Sequence, residues 1–183
     1  MNIQFKVISR EISEFLWRAG QTLSTAESCT AGLVSASIAA LPGASNYFRG
    51  GAVVYTNEMK TKLLGVPEEL LAEKGAVSEE VARAMVEGAV ERLGTDYAVA
   101  VTGYAGPGGG PEAPVGTIFV AAGKHDDVLV RQLTGDDGRE ENVARATLSA
   151  LQILLEKLKN DSYQQQLASA IAEGLLNFLN NRT

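Results

Sequence analysis

Short β-branched and apolar runs alternate along this chain with stretches of helical period, and that alternation restricts the fold more than any other feature. The runs are "QTLSTAE", "FRGGAVVYT", "DYAVAVTG", "GTIFVAAG" and "DVLVRQLT". "DYAVAVTG" is apolar almost throughout, as a strand buried on both faces is. The last two runs are joined through "GKHDD" and read as a hairpin. Ahead of the first run, Val7, Ile8, Ile12, Phe15 and Leu16 repeat at helical spacing, with Gly20 as the stop. "CTAGLVSASIAAL" reads as a small-residue helix ended by Pro42 and Gly43, and "NEMKTKLLG" and "PEELLAEKG" as short helices, each closed by a glycine. In "SEEVARAMVEGAVERLG", Ser78 stands as N-cap, Glu79 and Glu80 fill the first turn, and Val81, Met85, Val86, Ala89 and Val90 share one face. A long helix is expected over 139–159. Helices that flank strands, with a late hairpin, predict an α/β fold: a three-layer α/β/α sandwich on a mixed, mostly parallel sheet.

A length of 183 residues suits one domain with an appendage. The division expected is a domain over 1–159 and an amphipathic helical tail over 160–183. The polar triplet "NDS" is read as a break before the tail, where Leu167, Ile171, Leu175 and Leu179 recur every four residues. Such a tail packs on its own domain or on another subunit, and a homo-oligomer is expected. The formal net charge of −6 argues against a nucleic-acid partner, which usually meets a basic face. No apolar run reaches the ~20 residues of a membrane helix, so no membrane partner is expected. "MNIQFKVISREISEFL" mixes charges throughout and does not read as a signal peptide. The one cysteine, Cys29, allows no internal disulfide; a cytoplasmic location is expected.

Chemistry concentrates in "TAESCTAGL", where Glu27, Ser28, Cys29 and Thr30 adjoin at a strand-to-helix junction. The carboxyl end of such a strand is where open α/β sheets bind ligands. A serine there suits a nucleophile served by neighbouring amides. It equally suits a helix cap. The segment lacks the flanking glycines of the α/β-hydrolase nucleophile elbow. The sole histidine, His125, falls in the expected hairpin turn and makes a poor base for it. One His and one Cys leave only carboxylates as metal ligands, so no metal site is expected. The partners left are in "VVYTNEMKTK": Tyr55, Asn57, Lys60 and Lys62. A lysine base must fall from ~10.4 to ~7–8, about 4 kcal/mol of differential solvation or repulsion. That needs burial or a nearby cation; otherwise Lys60 is a solvated helix lysine. "VTGYAGPGGGPEAPVGT" places Gly103, Gly106, Gly108, Gly109 and Gly110 after a strand, where bare backbone suits an anion or a mobile surface loop. Arg139 of "TGDDGRE" opens a helix as a plausible phosphate cation.

Read together, "TAESCTAG", "FRGGAVVYTNEMK", "GAVSEEVA", "AVAVTGYAGPGGG", "PVGTIFVA" and "GDDGREENVARA", in that order, resemble the C-terminal domain of the competence/damage-inducible protein CinA, the nicotinamide-nucleotide amidase family. The resemblance runs over residues 8–158. It implies an α/β/α fold and hydrolysis of nicotinamide mononucleotide to nicotinic acid mononucleotide and ammonia, by a serine–lysine mechanism without metal or cofactor. By motif, Ser28 is the nucleophile and Lys60 the base, acting through or beside Tyr55. The resemblance further implies a substrate-binding set: Glu27, Thr30 and Gly32 around the serine, Asn57, then Thr102, Gly103, Ala105, Gly106 and Gly108 along the loop, with Arg139 on the phosphate. Relatives often carry an arginine four positions after the residue matched to Arg139. Here that position is Val143, and Arg145 is expected to compensate. "GDDGR" is two residues longer than the usual "GDR". An activity belonging to the N-terminal domain of longer relatives is not expected of this sequence. Two alternatives stand beside the amidase: Cys29 as nucleophile with the same lysine, and a non-catalytic nucleotide-sensing or protein-interaction module of the same fold.

Overall fold

The computed structural model describes residues 3–111 and 113–180, with the backbone alone for 174–180. Five strands form one sheet: β1 (Leu23–Glu27), β2 (Phe48–Val53), β3 (Tyr97–Gly103), β4 (Ile118–Lys124) and β5 (Asp127–Leu133), in the order β2-β1-β3-β4-β5. β1 pairs in parallel with both β2 and β3, while β3–β4 and β4–β5 are antiparallel. Among the described residues β4 alone therefore runs against the other strands, which is the mixed, mostly parallel sheet expected.

The sheet is covered on both faces. Along β3 the side chains alternate: Tyr97, Val99 and Val101 face one core, and Ala98 and Ala100 the other. The first core is closed by α1 (Ile3–Ala19), α2 (Leu33–Ala39) and α6 (Arg139–Asn180). The second is closed by α3 (Asn57–Leu64), α4 (Glu68–Lys74) and α5 (Glu79–Leu93). Ser78 caps α5 by accepting from the Val81 amide at 3.3 Å. Gly88 lets α5 lie directly on α3, because a Cβ there would fall 2.0 Å from the Leu64 carbonyl. That close approach seats the inner face of α3, which carries Lys60.

Three helix expectations change. On α1 the buried stripe is Phe5, Ser9, Ile12 and Leu16; Val7, about 200° round the helix from Phe5, is exposed. α2 starts at Leu33, not Cys29, because Ala31 and Gly32 take left-handed φ values of 50° and 101° and hold residues 28–32 in a turn. The "NDS" triplet does not break the last helix, which continues through it. Asp161 accepts there from Lys157 Nζ at 2.6 Å and from the Tyr97 hydroxyl at 2.6 Å, and tertiary bonding carries the helix over a polar stretch. α6 is buried as far as Leu158; beyond it Tyr163, Leu167 and Ile171 are exposed. The side chains of Leu175 and Leu179 lie outside the described residues. No helix of the described residues is long and apolar enough to cross a membrane.

Candidate active site

β1, β2 and β3 all end at one edge of the sheet. The connection after β1 passes over one face and that after β2 over the other, so a crevice opens beyond their carboxyl ends. A cavity of about 380 Å³ lies there, within the ~300–1,000 Å³ typical of small-molecule sites.

Ser28 follows β1 directly, and its amide donates to the Val101 carbonyl at 2.9 Å, which extends the β3 ladder by one residue. The chain then reverses: Ala31 N donates to Ser28 O at 3.1 Å and Leu33 N to Thr30 O at 3.0 Å. Across the cavity, Thr56 caps α3 by accepting from Met59 N at 3.2 Å, and the first turn of α3 carries Lys60 inward. Lys60 is 2% exposed. Its Nζ donates to the Val54 carbonyl at 3.1 Å and lies 3.3 Å from Ser28 Oγ. Burial draws the lysine below its ordinary pKa, against a smaller opposing pull from Cys29. A neutral amine has the lone pair that a serine proton needs.

Cys29 also lines the cavity, and burial pushes its thiol up to about 11, whereas the Lys60 amine in the cavity is hydrogen-bonded to Ser28 Oγ. Tyr55 is half-exposed, and its hydroxyl accepts from Arg139 Nη2 at 3.0 Å. Lys60 reaches Ser28 directly, so of the two expected arrangements, through or beside Tyr55, the geometry has the amine beside the phenol.

The glycine segment and Arg139 form the opposite wall. Arg139, the first residue of α6, donates to the Gly106 carbonyl at 2.5 Å. Gly106 and Gly108 hold φ at +98° and +80°, a region disfavoured for side-chain-bearing residues. Gly103 has a packing reason instead: a Cβ there would stand 2.6 Å from Ile118 Cγ1. Asn57, Thr102 and Ala105 line the cavity too, although the Thr102 hydroxyl is already spent on the Ala76 carbonyl at 2.7 Å.

The remaining expected residues are elsewhere. Glu27 is 1% exposed and turns its carboxylate back under α2, where it accepts from the Gly32, Val34 and Ser35 amides. Glu27, Thr30 and Gly32 do not line the cavity. Val143 packs against the core, and Arg145 does not compensate for it. Its guanidinium is held by Asp137 and Asn142, each at 3.2 Å, and by the Gly135 carbonyl. His125 is exposed in the β4–β5 turn, at the other end of the sheet from Ser28.

Asn142 escaped the sequence reading. It is fully buried, and its amide donates to Ala105 O at 3.1 Å and Asp136 Oδ1 at 2.8 Å, fastening the glycine segment to α6. The available signal was its place three residues after Arg139 on the same helix face. A larger cavity of about 820 Å³ lies at the far end of the sheet, beside Glu14, Tyr97, Lys124 and Asp161. Asp161 there binds Tyr97 and Lys124, and the cluster offers no nucleophile poised beside a base.

Residues 6–158 match the family model described as the CinA C-terminal domain. A CinA-like protein of Geotalea daltonii is 46% identical over 154 residues, which is 84% of this chain and 37% of that one. A CinA-like protein of Geobacter metallireducens is 52% identical over 117 residues, 63% of this chain and 28% of the relative. The chain thus spans well under half the length of these curated relatives. The crystal structure of the competence/damage inducible protein CihA from Agrobacterium tumefaciens superposes with a TM-score of 0.81 at 38% identity, covering 87% of this chain and 99% of that one.

Proposed function

This chain belongs to the CinA C-terminal domain family, and on that premise we propose that it is an amidohydrolase that converts nicotinamide mononucleotide to nicotinic acid mononucleotide and ammonia. The observation that carries the reading is the buried Lys60 amine 3.3 Å from the Ser28 hydroxyl, at the floor of a cavity walled by the glycine segment and Arg139. The substrate comes from the family resemblance; the cavity supports it with a base, a nucleophile and a cation at separate stations.

Lys60 takes the Ser28 proton as Oγ bonds to the carboxamide carbon, and the carbonyl π pair moves onto oxygen. The amides of Cys29 and Thr30 are the donors assigned to that oxyanion. They follow the nucleophile directly, and among the described residues neither donates to a backbone carbonyl. Collapse of the intermediate breaks the C–N bond, and the Lys60 ammonium returns its proton so that ammonia leaves. Water, deprotonated by the regenerated amine, cleaves the Ser28 ester and releases the carboxylate. Arg139 and the amides of the loop through Gly106 and Gly108 hold the phosphate.

Ammonia release from nicotinamide mononucleotide by purified protein in excess chelator tests the reading. Continuous release, with nicotinic acid mononucleotide formed in equal amount, is expected. Binding without release favours the nucleotide-sensing module instead.

A further inference from the structure

Glu27, beneath the turn that carries Ser28, is the one buried carboxylate among the described residues; it has no cationic partner among them, and it meets four donors. Oε2 accepts from Gly32 N and Val34 N, each at 3.0 Å; Oε1 accepts from Ser35 N at 2.8 Å and Ser35 Oγ at 2.6 Å. Ser35 Oγ is also 2.6 Å from Thr25 Oγ1, so the network returns to β1 two residues before Glu27. Gly51 on the neighbouring strand makes room for it: a Cβ there would fall 1.9 Å from Thr25 Oγ1 and 2.7 Å from Ser35 Oγ. The bonds close the loop 27–35, and inside that loop sit Ser28 and the two left-handed residues Ala31 and Gly32. Ala31 carries a Cβ at φ 50°, a conformation that persists only where its surroundings impose it. A carboxylate is acceptor-only, so it alone among side chains of this length suits four converging donors without presenting a donor of its own.

We propose that Glu27 is a positioning residue for the hydrolysis inferred above: its carboxylate clamps the amides of Gly32, Val34 and Ser35 and thereby holds the turn that aims Ser28 Oγ at Lys60. Among the described residues no hydrogen bond joins the clamp to the glycine segment or Arg139, so it governs the reacting geometry and leaves nucleotide affinity alone.

Glu27→Gln keeps the shape but sets an NH2 against donors; Ser35→Ala removes only one O–H donor. For Glu27→Gln the expected fall in kcat is about 100-fold, the scale of a misplaced nucleophile, with KM and nicotinic acid mononucleotide affinity unchanged. The acid limb of its pH profile keeps its midpoint, because Lys60 remains the base. Ser35→Ala changes in the same direction by less. Labelling of Ser28 by a fluorophosphonate probe, mapped by mass spectrometry, reads the aim of the nucleophile whatever the substrate, and slows in both variants. Wild-type protein that labels at Ser28 but leaves nicotinamide mononucleotide intact overturns the substrate and leaves the clamp standing. The clamp is overturned by a Glu27→Gln variant that labels and turns over at wild-type rates with only a lower Tm. It is overturned equally by one whose KM rises while kcat holds, or whose acid limb disappears.

Discussion

Replacing Lys60 by methionine removes the amine and keeps an unbranched side chain of similar length in a position that is 2% exposed. Two effects follow from one protonation equilibrium. In the folded chain burial weakens proton binding at Lys60, whereas the unfolded chain holds that proton up to ~10.4. Between the folded and unfolded pKa values, unfolding takes up a proton, so wild-type stability rises with pH by about 1.4 kcal/mol per unit. Above the unfolded pKa the penalty vanishes; below the folded pKa both states are protonated and the penalty is constant. Methionine does not titrate. The stability of Lys60→Met relative to wild type is therefore greatest at low pH and declines along that slope towards pH 10.5. Loss of the amine's contacts with Val54 O and Ser28 Oγ adds only a pH-independent offset. Urea unfolding of both proteins across this range gives the curve, and the pH at which its slope sets in is the folded pKa of Lys60. The acid limb of the wild-type kcat/KM should have its midpoint at that same pH, while the variant loses about 10²–10⁴-fold in kcat. A stability difference flat with pH, or an acid limb displaced from the bend, refutes the reasoning that burial makes Lys60 a base.

Arg139→Ala should raise KM for nicotinamide mononucleotide about 10- to 100-fold, the worth of a charge-assisted hydrogen bond, and leave the rate with nicotinamide riboside, which lacks the phosphate, unchanged. Cys29→Ala should retain turnover, and wild-type Cys29 should resist iodoacetamide at pH 7.5, because its thiol titrates only at about 11. A chain ending at Ser162 keeps Asp161 on the buried Lys157 and so keeps the domain, while it loses the exposed Leu167 and Ile171. Light scattering should give it a smaller assembly than the full chain; equal subunit counts refute assembly through the tail.

The layers were legible because strands buried on both faces leave continuous apolar runs, as in "DYAVAVTG", and because "GKHDD" is a local turn signal. Features set by distant contacts were not. The start of α2 depends on a Glu27 carboxylate reaching five to eight residues ahead, and within "NDS" Asp161 is held by Tyr97, 64 residues away. Period alone placed Val7 on the wrong face of α1, since Phe5 and Ser9 rather than Val7 mark the stripe. At the site, Ser28 and Lys60 stand 32 residues apart; elimination left Lys60 among several candidate partners, and the family resemblance, not spacing, made it the base. Lys60 is buried because Gly88 admits α3 onto α5, which no window around "NEMK" contains. Glu27 sits in a motif rich in reactive groups, and the resemblance implied a ligand contact where its carboxylate instead accepts from the amides of its own turn.

The proposed hydrolysis requires Ser28 Oγ as the attacking atom. Its most direct measurement is the steady-state rate of ammonia release from nicotinamide mononucleotide by Ser28→Ala beside wild type, at saturating substrate and with folding checked by circular dichroism. A fall of about 10³-fold or more, with nucleotide binding retained, is the predicted result. A variant that keeps its rate within tenfold contradicts it.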